Sequence, residues 1–229
     1  MMELPKIDNS NLWDKTYSIL KDQIIRRCFS PNEKLAIPDL ANKLGVSRTP
    51  VRDALNRLEM ERLVKTVSKV GTFVVAIGSE DIKNIMDTRL MLEYWVIDKL
   101  CSVSKDVLQT GVNHMQDILD RSLQMIEVEP FHDYLKSDYN LAFHIEFMKL
   151  GQNRNNIDIY LKLMDYRFIM MKSSIVSSEM VKVAQAQHQA IVDAITNGSM
   201  EDIRKVIRLH LVDSEQRLLG AIHENGGTI

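Results

Sequence analysis

Three histidines are set where they could do joint chemistry: His144 in AFHIEF, His188 in QAQHQAIVDAI and His210 in IRLHLVD. Each stands among apolar residues on a segment of helical periodicity, so its ring can turn inward. A single histidine in such a place is ordinarily a core residue with a satisfied hydrogen bond. Three on separate helices can instead converge on one divalent ion, the way metal sites in helical bundles are built. His114, His132 and His223 have no comparable setting and read as surface residues. A different chemistry is offered earlier in the chain, where Arg48 and Arg52 lie one turn apart and Lys69 sits in a turn. Two guanidinium forks so spaced match the acceptors of guanine or the oxygens of phosphate.

The arginines need a helix to present them. Trp13, Tyr17, Leu20, Ile24 and Ile25 predict an amphipathic helix over 12–27, and a short helix over 38–44 follows, closed by Gly45. Ser47 caps a third helix, with Pro50 tolerated in its first turn because the amides there are unpaired anyway. At about 100° per residue, Val51, Ala54, Leu55 and Leu58 share one side of this helix. Thr49, Arg52, Asp53 and Asn56 share the other, with Arg48 at the seam. Such a surface suits the major groove, or is merely solvated. Residues 63–67 and 72–75 then predict a β-hairpin turning at Lys69–Gly71. Helix, turn, helix and hairpin in this order outline a winged helix-turn-helix, with Lys69 at the wing tip facing backbone or minor groove.

The histidines need a bundle. Periodicity predicts six helices beyond residue 78, over 81–100, 105–125, 131–150, 157–172, 179–196 and 200–223, an all-α antiparallel arrangement. The two parts differ in charge. Residues 1–75 carry 13 Lys/Arg against 9 Asp/Glu, whereas the remainder carries 16 against 22, which confines polyanion contact to the first part. Ala76-Ile77-Gly78-Ser79 marks the boundary, so 1–77 and 78–229 are expected as separate domains of a mainly α protein. Two cysteines, Cys28 and Cys101, are too few for a disulfide framework. No apolar run approaches the roughly 20 residues of a membrane span, and the polar start lacks signal-peptide character, so a soluble cytoplasmic protein is expected.

The stretch EKLAIPDLANKLGVSRTPVRDALNRLEMERLVKTVSKVGTFVV resembles the DNA-binding domain of the GntR family of bacterial transcription regulators, most specifically in LGVSRTPVRDALNRLE and GTFV. The resemblance implies operator contacts from Ser47, Arg48, Thr49 and Arg52, with Lys69 and Gly71 at the wing tip. Departures are Pro31-Asn32 for the usual Pro-Gly, Ile37 for a Glu, and Arg62 for a Gly before the wing. DTRLMLE (87–93), NLAFHIEFMKLGQN (140–153) and HQAIVDAITNGSMEDIRKVIRLHL (188–211) resemble the FCD ligand-sensing domain of the FadR-type branch. That likeness implies a metal held by His144, His188 and His210, with Asn140 in the position more commonly occupied by Asp. Asp138, six residues before His144, would lie about 120° round a continuous helix from it. A neutral amide is a poorer ligand than a carboxylate, which implies partial occupancy by Zn²⁺, Ni²⁺ or Fe²⁺ in preference to Mg²⁺ or Ca²⁺. On the same pattern, R-x-x-L-E, Arg89 is a candidate partner for an effector carboxylate; its alternative is an ion pair with Glu93. Arg167 and Tyr166 are candidates of the same kind, and Met164, Met170 and Met171 read as core.

The function expected is a ligand-responsive regulator, a homodimer reading palindromic operator DNA through two recognition helices. The competing class is a metal-dependent enzyme in which three histidines activate water. Against it, no acid stands in an HExxH-like relation to them. An architectural protein without a ligand would leave the histidines without a role.

Overall fold

A computed structural model of the chain describes residues 10–26, 28–170, 176–224 and 227–228. The chain divides into two compact units, Met1–Ile77 with Thr228–Ile229, and Gly78–Gly227.

In the first unit, α1 (Ser10–Ile25), α2 (Ile37–Leu44) and α3 (Arg48–Met60) surround a core of Leu20, Ile24, Leu40, Val51, Ala54, Leu55 and Leu58. Gly45 closes α2 in the left-handed conformation at φ 65°, its amide bonded back to Ala41 and Asn42. Strands β2 (Val64–Val67) and β3 (Gly71–Val74) form the hairpin, Val64 opposite Val74 and Val67 opposite Gly71. A third strand, β1 (Lys34–Leu35), was not anticipated; it pairs antiparallel with the free edge of β3, giving the order β1-β3-β2. Two residues are too few to show alternation. Gly71 is required where β1 crosses, because its φ is +145° and a Cβ there would lie 2.6 Å from the Lys34 side chain. Asn32 and Arg62, which replace the expected glycines, also hold left-handed backbone, at φ 60° and 59°.

The second unit is a helical bundle: α4 (Ser79–Leu100), α5 (Lys105–Val128), the single turn α6 (Phe131–Tyr134), α7 (Tyr139–Leu150), α8 (Arg154–Met170), α9 (Ser178–Asn197) and α10 (Met200–Glu224). Helix α4 starts earlier than its periodicity implies, because Gly78 rather than Ser79 is the N-cap and the Asp81 carboxylate accepts the Gly78 amide at 2.9 Å. The helix expected over 131–150 is broken. A 3₁₀ turn (Leu135–Ser137) follows α6, Asp138 adopts φ 42°, and its carboxylate caps α7 by accepting the Leu141 amide at 3.2 Å. The apolar pattern runs through the break because both pieces face the same core, so periodicity alone hid it. Asp138 is thus a cap and not a helical residue, and the angular argument that set it aside does not apply.

Two glycines fix close approaches at one end of this unit. A Cβ on Gly111 of α5 would sit 2.4 Å from the side chain of Leu150, itself buried, and one on Gly151 would sit 2.6 Å from the Trp95 ring. Among the described residues no helix is long and apolar enough to cross a membrane.

Candidate functional site

The first unit presents α3 as its sequence pattern implied. Pro50, Val51, Ala54, Leu55 and Leu58 are buried, while Ser47, Arg48, Thr49, Arg52 and Asn56 are exposed and Asp53 is half-buried. Ser47 has extended backbone at the N-cap, but its side chain makes no capping bond. Lys69 is exposed in the hairpin turn, at φ 63°. Farther along α3, Arg57 is committed inside the unit: its guanidinium lies 3.9 Å over the Tyr17 ring and Nη1 donates to Asp14 at 2.9 Å. Arg48 and Arg52 therefore remain the outward guanidiniums of the first two turns.

In the second unit, His144 of α7, His188 of α9 and His210 of α10 come together. All three are buried, and each offers a nitrogen within 4.8 Å of the others. The Nε2 atom of His210 lies 3.2 Å from that of His144 and 3.3 Å from that of His188. Four nitrogens at the Zn–N distance of about 2.0–2.1 Å would stand about 3.3–3.4 Å apart at the corners of a tetrahedron, so these spacings fit a borderline metal ion. The outer nitrogens support that use. His210 Nδ1 faces Gln187 Oε1 at 3.0 Å and His144 Nδ1 faces Glu93 Oε1 at 3.5 Å. The Gln187 acceptor would hold the proton on Nδ1 of His210 and leave its Nε2 lone pair for an ion. Phe143 stacks on His188 with ring centroids 4.3 Å apart, fixing its plane. His114, His132 and His223 are exposed.

Arg89 borders this centre as part of a buried network. Its Nη2 donates to Glu93 Oε1 at 3.0 Å and lies 3.1 Å from His144 Nε2, and its Nε reaches the Tyr160 hydroxyl at 3.2 Å. Tyr160 donates to Glu93 Oε1 at 2.7 Å; burial holds its pKa well above the ordinary value, so it stays a donor. The ion pair with Glu93, one of the two readings open from sequence, is what Arg89 makes. Arg167 lies on α8, but its side chain, like those of Tyr166, Met170 and Met171, falls outside the described residues; Met164 is buried.

Beside His188 is a cavity of about 110 Å³, whose lining includes Asn140 and His188, the apolar Met86, Leu119, Val181 and Leu218, and the polar Ser122, Tyr134, Gln185 and Arg217. Asn140 lies in the first turn of α7, and its amide nitrogen is buried with no partner among the described residues. Arg89 does not line this space, whereas Arg217 of α10 does. Arg217 went unnoticed in the sequence, although it stands seven residues after His210 and hence on the same helical face. The polar set Ser122, Tyr134 and Gln185 was also missed, since nothing in their local spacing links them.

Comparisons with known proteins agree with this division. Residues 12–74 match the model of the bacterial regulatory proteins of the gntR family, and residues 84–213 match that of the FCD domain. The HTH-type transcriptional repressor GlaR of Escherichia coli (strain K12) is 27% identical over 205 residues, covering 86% of this chain and 90% of that one. The Uxu operon regulator of Haemophilus influenzae is 26% identical over 233 residues, covering 91% and 84%. A solved transcriptional regulator GntR from Rhodococcus sp. RHA1 shares the fold with a TM-score of 0.74 at 21% identity, covering 93% of this chain and 99% of that one. With an exposed arginine-bearing α3 in a winged unit, and a helical unit that gathers three histidines, the chain belongs to the GntR family of DNA-binding transcription regulators, with an FCD domain as its second unit.

Proposed function

We propose that this regulator is a homodimeric repressor whose operator affinity is set by a small carboxylate taken up beside the three histidines. The observation that carries the reading is the convergence of His144, His188 and His210 next to a cavity of about 110 Å³. For scale, a cavity of roughly 150 Å³ admits benzene.

His144, His188 and His210 would hold a divalent transition metal, Zn²⁺, Ni²⁺ or Fe²⁺, with Asn140 as a neutral and therefore weak fourth donor. Such an ion supplies positive charge and open positions toward an acid. The protein's own residues do the rest. Arg217, which pairs with Asp213 on the same helix and donates to Ser214, lines the cavity wall and offers the counter-charge that the sequence had suggested for Arg89 and Arg167. The apolar walls exclude water and so strengthen each polar contact. Arg89, Glu93 and Tyr160 hold His144 in place.

At the DNA, Ser47, Arg48, Thr49 and Arg52 would meet the major groove, with Lys69 and Gly71 at the wing tip. Two such units reading the half-sites of a palindrome one helical turn apart require a dimer. An acid can change operator affinity only by favouring one arrangement of the units over another through the Ala76–Ser79 junction, and the coupling is reciprocal, about 1–3 kcal/mol. The name of the relative GlaR supports repression.

The test is fluorescence anisotropy on DNA flanking the gene, with zinc-loaded full-length protein and a panel of two- to six-carbon acids. One or more acids should weaken binding about 5–150-fold, and His188→Ala should abolish that response while keeping ligand-free DNA binding. Operator binding that ignores every acid, or a response that survives His188→Ala, refutes the proposal.

A further inference from the structure

The cavity has a second polar group of residues that the histidine centre does not account for. Ser122 of α5, Tyr134 of α6 and Gln185 of α9 form a buried triangle on its wall. Ser122 Oγ and the Tyr134 hydroxyl are 2.7 Å apart, and Gln185 Nε2 donates to both, at 2.5 and 3.2 Å. Burial raises the Tyr134 pKa, so its hydroxyl keeps its proton.

The donors and acceptors of this triangle do not balance. The two hydrogens of the Gln185 amide go to the two hydroxyl oxygens, and one hydroxyl hydrogen joins Ser122 to Tyr134. One hydroxyl hydrogen and the Gln185 Oε1 acceptor are left over. Oε1 is buried with no partner among the described residues, in a residue only 5% exposed. Leaving such an atom unpaired is costly and needs a reason. Turning the amide over merely leaves its NH₂ group unpaired instead.

We propose that Gln185, with Ser122 and Tyr134, is a specificity-determining subsite for a hydroxyl group of the effector, so that the acid sensed is a hydroxylated one. The inference rests on the reading above that the cavity takes a small acid. A hydroxyl both donates and accepts, so it completes the triangle with the amide in either orientation. With Oε1 left over as placed, a second carboxylate would set its lone pairs against it, and an ammonium would bring three donors to one acceptor. Gln185 and His188 are three residues apart on α9, about 4.5 Å along its axis. 4-Hydroxybutyrate, with its carboxylate and its hydroxyl at opposite ends of a short chain, offers one group to each.

Titration calorimetry of the zinc-loaded full chain with 4-hydroxybutyrate and with butyrate tests this. The wild type should prefer the hydroxylated acid by about tenfold, the worth of one buried hydrogen bond. Gln185→Met should lower the preference to within about twofold by weakening the binding of 4-hydroxybutyrate, and Ser122→Ala should reduce it as well. The thermal midpoint of ligand-free Gln185→Met should match or exceed that of the wild type, because the orphaned polar atom is gone while Ser122 and Tyr134 keep each other. Equal affinity of the wild type for both acids, or a preference that survives Gln185→Met, overturns the hydroxyl subsite and leaves the acid-sensing reading intact. Binding of neither of these acids, nor of any acid of the panel, overturns both.

Discussion

Replacing Arg89 by Met separates a structural guanidinium from a ligand-binding one. Arg89 and Glu93 form an ion pair at 3.0 Å with side-chain exposures of 2% and 0%. After the substitution, Glu93 Oε1 keeps the Tyr160 hydroxyl at 2.7 Å, but the guanidinium is gone and Oε2 has no partner among the described residues. Breaking a buried pair by removing one member costs about 3–5 kcal/mol, because it leaves an uncompensated charge. For a chain of this size each kcal/mol lowers the melting midpoint by about 2–4 °C, so a loss of about 6–20 °C is expected. The triple variant Arg89→Met, Glu93→Leu, Tyr160→Phe removes every member of the network and should recover most of it, since apolar replacements of similar volume are often neutral. Thermal unfolding followed by circular dichroism at neutral pH, with chelator present so that bound metal adds no stability, makes the measurement. A loss below about 1 kcal/mol for Arg89→Met would show that the pair stabilises little, and would return Arg89 to candidacy as an effector contact.

Arg52→Ala should weaken specific operator binding by about 1–3 kcal/mol in anisotropy titrations, whereas Lys69→Ala should weaken all DNA similarly and reduce the salt slope by about one. Arg62→Gly, at φ 59° in the turn after α3, should stabilise the first unit by about 1 kcal/mol, read as a higher urea midpoint at unchanged slope. His210→Ala should strip the protein of transition metal in elemental analysis after purification without chelator. Asn140→Asp should raise metal occupancy; because position 140 is in the first turn of α7, a carboxylate there also gains about 0.3–1 kcal/mol from the helix terminus, so midpoints with and without chelator must be compared.

Helices long enough to repeat their pattern were legible in the sequence. Val51, Ala54, Leu55 and Leu58 marked the buried side of α3, and Gly45 marked the end of α2. The convergence of the histidines was legible only as a possibility, since the residues lie on helices far apart in the chain. What stayed hidden depends on contacts between such segments. Strand β1 exists because β3 offers it an edge, and the break at Asp138 is a backbone event that leaves the apolar pattern untouched. The commitment of Arg89 to Glu93 was visible as a spacing of four, but Tyr160, 67 residues from Glu93, was not. Ser122, Tyr134 and Gln185 carry no shared signal at all.

The two tight glycine contacts distribute stiffness unevenly along the bundle. Gly111, Leu150, Gly151 and Trp95 lock α5, α7 and α4 together with no room for a methyl group, and a close-packed contact of that kind resists deformation. On each of these helices the cavity residues lie elsewhere: Met86 precedes Trp95 on α4, Ser122 follows Gly111 on α5, and Asn140 precedes Leu150 on α7. Eight to eleven residues separate the two sets, about 12–17 Å of helix. One end of the bundle is therefore a rigid clamp and the other a compliant region with a void in it. The compliant end is the one at which α4 begins, at Gly78, where the chain arrives from the DNA-binding unit. If the cavity takes an acid as proposed, any adjustment of the helices to it falls at this end of the bundle, away from the methyl-tight contacts.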